Sequence, residues 1–150
     1  MSTQNTYSLM QRADISPGWP ADSTKKNGRT RSARTRIQYG AAVQIDANGM
    51  AEPLVPGGVF MGIAAAARLS RDEVGEYEQF DNVPVEDAGT WWEIADKAFA
   101  AGVGLNWNST TGRWTDAVAG GAIVSTPGVE ADQAANGNGH LIKIKIRRKR

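Results

Sequence analysis

From Thr35 the chain is a series of short segments separated by turn chemistry, and that punctuation restricts it to an antiparallel all-β domain. "IQYGAAVQID" runs into "ANG" before "MAEPLV", and Asn48-Gly49 is a strong tight-turn pair, so these segments predict a hairpin. "PGG" breaks the chain before "VFMGIAAAA". There Val59, Met61 and Ile63 alternate with Phe60, Gly62 and Ala64, which fits a strand buried on both faces. The run Ala64 to Ala67 would also suit a helical turn, since Ala is the best helix former, but the strand is preferred. In "EVGEYEQFDNVPVEDAG" aromatic and β-branched residues are scattered among acids, and Pro84 confines any strand there to an edge or a strand start.

Three later segments carry most of the aromatic and alternating pattern. "TWWEIAD" places Trp91 and Trp92 in sequence, and on a strand consecutive side chains point to opposite faces, so the indoles cannot share one environment. At least one is expected to meet a second layer or another subunit. "GVGLNW" and "RWTDAV" flank Asn108 to Gly112 as strands flank a hairpin loop, which brings Trp107 and Trp114 near each other across it. After a further strand in "GGAIVSTPG", the closing "GNGHLIKIKIRRKR" alternates Ile142, Ile144 and Ile146 with Lys143, Lys145 and Arg147. That period of two predicts one core face and one basic stripe.

The fold class expected is therefore all-β: a compact antiparallel β-barrel or β-sandwich with an extended N-terminal arm and a basic C-terminal tail. A chain of 150 residues suits one core. Residues 1–36 are polar, carry no sustained apolar period and read as an extended basic arm, leaving 37–150 as the β domain that ends in the basic strand and tail. Within the arm "SPGWP" holds Trp19 between prolines that restrict the backbone and lower the entropy lost on docking. Trp19 reads either as an anchor for a partner's pocket or as a side chain folded back on its own domain.

The net charge of +1 conceals strong segregation: +5 over residues 1–38, −10 over 39–139 and +6 over 140–150. Basic termini on an acidic body suit nucleic acid or the acidic face of another copy, and a solvated tail is the plain alternative. The tryptophans sit mainly in the acidic body while the basic residues sit at the ends, which argues against a nucleic-acid groove. The acids Asp72, Glu73, Glu76, Glu78, Asp81, Glu86 and Asp87 fit neither an EF-hand nor a readable glycosidase pair, so a solvated face, or one that receives a neighbour's basic arm, is the better reading.

Few chemistries remain. With no cysteine, thiolate metal sites, disulfides and cysteine nucleophiles are all excluded. His140 is the only histidine, no "GxSxG" elbow accompanies it, and neither phosphate-binding glycine pattern is present. No enzyme activity, cofactor or metal is expected. No apolar run reaches the roughly 20 residues of a membrane span or forms a signal peptide, so the reading is of a soluble protein made in the cytoplasm, with no membrane partner.

The order of segments resembles the small head decoration, or cement, proteins of tailed bacteriophages. The resemblance covers roughly residues 37–146 and rests on "YGAAVQIDANGMAEPL", "GGVFMGIAAAA", the acidic "YEQFDNVPVEDAGTWWEIAD", "FAAGVGLNWNSTTGRWTD" and the glycine-rich turn before "HLIKIKI". It implies a β-barrel or β-sandwich with extended termini that binds the outside of the capsid shell, in the virion, where it clamps neighbouring major capsid subunits against internal DNA pressure. Expected partners are the major capsid protein and other copies of the chain, as a dimer or trimer, with nucleic acid not expected. Segregated charge and surplus aromatics nominate Trp19, Arg29, Arg31, Arg34, Arg36, Trp91, Trp92, Arg147 and Arg148 as partner-binding residues. The competing reading is a β-barrel binding module for carbohydrate or single-stranded nucleic acid that stacks its ligand on Trp107 and Trp114.

Overall fold

The computed structural model describes residues 17–22, 27–66 and 75–147. In chain order the strands are β1 (Gly28–Ser32), β2 (Ile37–Gln38), β3 (Ala42–Ile45), β4 (Ala51–Pro53), β5 (Gly62–Ala64), β6 (Glu76–Tyr77) and β7 (Asn82–Glu86). They continue as β8 (Gly89–Ile94), β9 (Asn106–Asn108), β10 (Arg113–Thr115), β11 (Ile123–Val124), β12 (Val129–Ala131) and β13 (Leu141–Ile146). No helix occurs among the described residues, so none is long and apolar enough to cross a membrane.

Every strand pairing is antiparallel, in four sheets ordered β1-β7-β5-β3-β4, β10-β9-β11, β12-β13-β8 and β2-β6. The architecture is thus all-β and antiparallel, as the turn punctuation predicts, while none of the sheets closes into a barrel. Among the described residues the edges of the largest sheet meet at one point. Just past β1, Ala33 bridges to Ala51 of β4, and the Arg34 N–H donates to the Ala51 carbonyl at 2.8 Å.

The alternation in β13 settles its two faces. Ile142, Ile144 and Ile146 are buried, while Lys143 and Lys145 point the other way. Each buried Ile contributes roughly 1.5–3 kcal/mol of apolar transfer energy. Across the ladder Trp91 pairs with Ile144 and Trp92 with Lys143, so the adjacent indoles do separate: Trp91 is buried and Trp92 half-buried under the Lys143 ammonium, 5.4 Å from its ring centroid. The expected hairpin at Asn48-Gly49 joins β3 to β4. Its loop is tied by Asp46, whose carboxylate accepts the N–H groups of Asn48 (2.8 Å) and Met50 (2.9 Å). The Met50 N–H above all, with help from Arg34, holds the Asp46 carboxyl below its usual range.

Two segments differ from their sequence pattern for identifiable reasons. Residues 28–32, within the stretch read as an arm, form β1 and pair along β7 from Gly28↔Glu86 to Ser32↔Asn82. "GRTRS" has no apolar period of its own, because Val83 and Val85, directly opposite Arg31 and Arg29, supply the buried face. Residues 17–21 are docked as well, along β8: Gly18 N–H donates to the Trp92 carbonyl, Trp92 N–H to Trp19 and Ala21 N–H to Thr90, each at 2.8 Å. Gly18, at φ +85°, admits no side chain there, since a Cβ would lie 2.6 Å from the Gly40 nitrogen and 2.8 Å from the Ala64 carbonyl oxygen.

Pro84 is the second difference. It sits inside β7, between β1 and β5, and not on an edge. Thr30 faces Pro84 in a pair that exchanges no hydrogen bond with β1, as the Ala33-to-Asp81 and Asp87-to-Asn27 bonds fix the alternation. On the β5 side the Ala65 N–H donates to the Pro84 carbonyl at 2.9 Å, but proline has no N–H to return. The buried Tyr77 hydroxyl donates to the Ala65 carbonyl in its place. Burial in turn pushes the Tyr77 phenol well above its usual range.

Candidate functional site

Trp107 and Trp114 are direct cross-strand partners on β9 and β10, with ring centroids 5.2 Å apart and planes inclined at 65°. Phe60 adds an edge contact to Trp114 at 6.2 Å. Both indoles are buried, with Trp114 at 0% exposure, so neither offers a face on which a sugar or base could stack. The binding-module reading fails on this point: the pair fastens the hairpin to the core. Its loop is shaped by Asn108, whose side-chain oxygen accepts the N–H groups of Thr110 and Thr111.

The residues nominated for partner contact fall into four groups. Arg34 and Arg36 are engaged within the chain, Arg34 with Asp46 at 3.1 Å and Arg36 with Glu76 at 3.4 Å and Glu78 at 3.9 Å. Part of the acidic face therefore receives a basic segment, and that segment is the chain's own. Arg147 pairs with Glu130 at 3.1 Å, and Arg148 lies outside the described residues. Trp19, Trp91 and Trp92 gather at β8, where Trp91 is core and the other two remain half-buried. Arg29 and Arg31 alone form a free pair: they project from one face of β1 and make no ion pair with any described residue.

Arg29 and Arg31 border an apolar hollow. The segment expected as a doubly buried strand is paired only over Gly62–Ala64, and residues 58–60 leave the sheet through the Val55–Gly58 turn. Val59 and Met61 are left 72% and 45% exposed. With Phe60, Pro127 and Ile146 they line a cavity of about 410 Å³. A second hollow of about 250 Å³, lined by Arg29, Arg31, Ile45 and Val85, shares Met61 and Asp87 with the first. Together they make one groove with an apolar floor and two unpaired guanidinium groups on its rim. Asp87 is not free on that floor, being held by the Asn27 amide at 2.7 Å.

Sequence reasoning missed Phe80. Among the described residues it is the one non-glycine with positive φ, at 70°, and its side chain is 68% exposed. Left-handed backbone costs a residue with a Cβ roughly 1–2 kcal/mol. The turn is fixed from both sides: Phe80 N–H donates to the Ala33 carbonyl at 2.7 Å, and the Asp81 carboxylate accepts the Glu78 N–H at 2.8 Å. The ring is thereby held out in solvent between Glu78 and Asp81. No periodicity signals this, because "EQFD" reads equally well with the ring turned inward. Val118, 88% exposed beyond β10, is a further isolated apolar residue.

The core also holds one acid. Glu93 lies on the inner face of β8 opposite Ile142, and its Oε2 has no hydrogen-bond partner among the described residues. Burial raises its carboxyl well above the usual range. The Trp114 indole, whose N–H meets no acceptor in hydrogen-bonding geometry, faces the carboxyl and offsets that rise only in part. Among the described residues no group of three or more His, Asp or Glu is placed to hold a metal ion.

The model of one protein family, described as Structural cement protein (E217 gp24/Pam3 gp6), matches residues 3–147. No curated protein matches the chain.

Proposed function

The chain belongs to the structural cement protein family of phages, and on that premise we propose that it grips the outer surface of the head and clamps neighbouring major capsid subunits against the pressure of packaged DNA. A structural role in the capsid, in the virion and in contact with capsid protein, comes with the family itself. The clamp is the finer reading, and it involves no catalysis.

One observation carries it: the exposed adhesive residues are spread over separate parts of one folded domain. Val59 and Met61 border the groove, Phe80 stands on the β6–β7 turn, Val118 follows β10, and the half-buried Trp92 with Lys143 lies on the outward face of β8 and β13. A ligand-binding module concentrates such residues in one concavity, whereas a protein that bridges subunits needs at least two contact areas that cannot be satisfied by one partner. The apolar side chains supply affinity and the flanking charges supply orientation.

Heads assembled without this protein provide the test. Adding it back should give saturable attachment and raise the temperature at which packaged DNA escapes. Attachment with no change in DNA release would remove the clamp and leave only decoration, and failure to attach would remove the capsid-binding reading altogether.

A further inference from the structure

We propose that copies of this chain join head to tail, the Phe80 turn of one copy seating in the Val59–Met61 groove of the next. The inference rests on the cement reading only for the setting in which the contact would be used.

The two surfaces are complementary in shape and in charge. Phe80 is a large ring, 68% exposed, on a left-handed backbone that the turn's own hydrogen bonds fix, so the ring is presented to solvent in one place. A large aromatic ring held exposed in a fixed orientation is the kind of side chain that anchors protein interfaces. The groove is the matching receptor. Its cavity of about 410 Å³ has Val59, Phe60 and Met61 along one wall, and is large enough for one aromatic side chain.

Charge selects the orientation. Glu78, which Arg36 approaches at 3.9 Å, and Asp81, which makes no ion pair among the described residues, flank the ring, and Arg29 and Arg31 stand on the rim of the groove likewise without an ion-pair partner among the described residues. Arg147, also at the groove, is already paired with Glu130, and Asp87 keeps its negative charge while it accepts from the neutral Asn27 amide, so the two guanidinium groups of Arg29 and Arg31 outweigh it and leave the groove net positive. An acidic, aromatic tip thus meets a basic, apolar pocket.

A chain cannot satisfy its own groove. Phe80 precedes β7 and Asp87 follows it, and the five residues of that strand, at about 3.3 Å each, hold the two surfaces roughly 17 Å or more apart on a rigid sheet. The tip of one copy must enter the groove of another. Such a contact uses two different patches, so it is heterologous, and it generates a closed ring where the rotation permits and an open chain where it does not.

Sedimentation of the purified full-length chain over a range of concentrations reads this directly. The wild type is expected to self-associate, and Phe80→Gly to weaken that association by roughly 30-fold or more, the effect of losing one interface anchor. Because Gly tolerates φ of 70°, the same variant should keep or raise the melting temperature, which separates loss of contact from loss of fold. Val59→Asp, at an exposed position, should likewise give monomers. The deciding step is to mix the two: each keeps the surface the other lacks, so an equimolar mixture should form a dimer and nothing larger. A wild type that stays monomeric, a Phe80→Gly protein that assembles as the wild type does, or a mixture without dimers overturns the proposal. Attachment of the monomeric variants to heads is scored separately, so that the head-to-tail contact can fail while capsid binding stands, and the reverse.

Discussion

Replacing Glu93 by Gln should abolish a pH dependence that the buried carboxyl imposes on folding. The wild-type acid is fully buried and its carboxyl is raised well above the ordinary value of 4.5 by burial, so the native protein keeps a proton that the unfolded chain releases. The sign follows from linkage. The contribution of Glu93 is fully present below pH 4.5 and is lost as pH rises toward the native value. Between those limits each pH unit costs about 1.4 kcal/mol, which for a domain near this size is roughly 3–8 °C in melting temperature. Gln fills the same volume and cannot ionise. Calorimetric melting of both proteins from pH 4.5 to 8 should therefore show a gap that is small at the acid end and widens with pH in favour of Glu93→Gln. Asp46 pulls the other way: its carboxyl is lowered, so its contribution is present above 3.8 and fades as pH falls. That term is common to both proteins and cancels in the difference. A gap that stays constant with pH would refute the argument, because it would mean that Glu93 is ionised in the native state.

Three other outcomes are expected. Tyr77→Phe should cost about 1–3 kcal/mol in urea denaturation, since the Ala65 carbonyl opposite Pro84 then loses its donor in a buried site; an unchanged midpoint would show that the phenol does not compensate for the proline. Trp114→Ala should destabilise by roughly 3–5 kcal/mol and Trp107→Ala by a similar amount, with a coupling in the double mutant of about 0.5–1.5 kcal/mol; additive effects would mean that the rings do not support each other. Deleting residues 1–36 removes β1 and the strip bonded to β8 and should lower the melting temperature by several degrees; unchanged melting would show that β1 adds nothing to the domain.

The parts legible in the sequence were those where a residue declares its own environment. Asn48-Gly49 can make few structures other than a tight turn, and the Ile/Lys alternation of β13 is a face assignment in itself. What stayed hidden depends on a partner strand. Arg29 and Arg31 look like a solvated arm until Val83 and Val85 are placed opposite them. Pro84 looks like an edge residue until Tyr77 is found supplying the missing donor. Val59 and Met61 carry a strand pattern but lie where the sheet has ended, and the outward ring of Phe80 is decided by a backbone angle that no alternation encodes. Of the candidate surface, then, the cations were readable and the apolar half was not. An exposed valine and a buried one are the same letter.

A sheet with open margins invites the wrong neighbours. Any open strand edge is a template on which a misplaced strand can add, and such addition grows into aggregates. The bridge between Ala33 and Ala51 draws the two margins of the five-stranded sheet together at one point. Near that seam one margin carries Arg29 and Arg31, and the other ends at Pro53, which has no N–H to offer an incoming strand. Charge and proline are the common guards of natural edges. The short seam, the two arginines and the proline thus leave little open margin on which a misplaced strand could add.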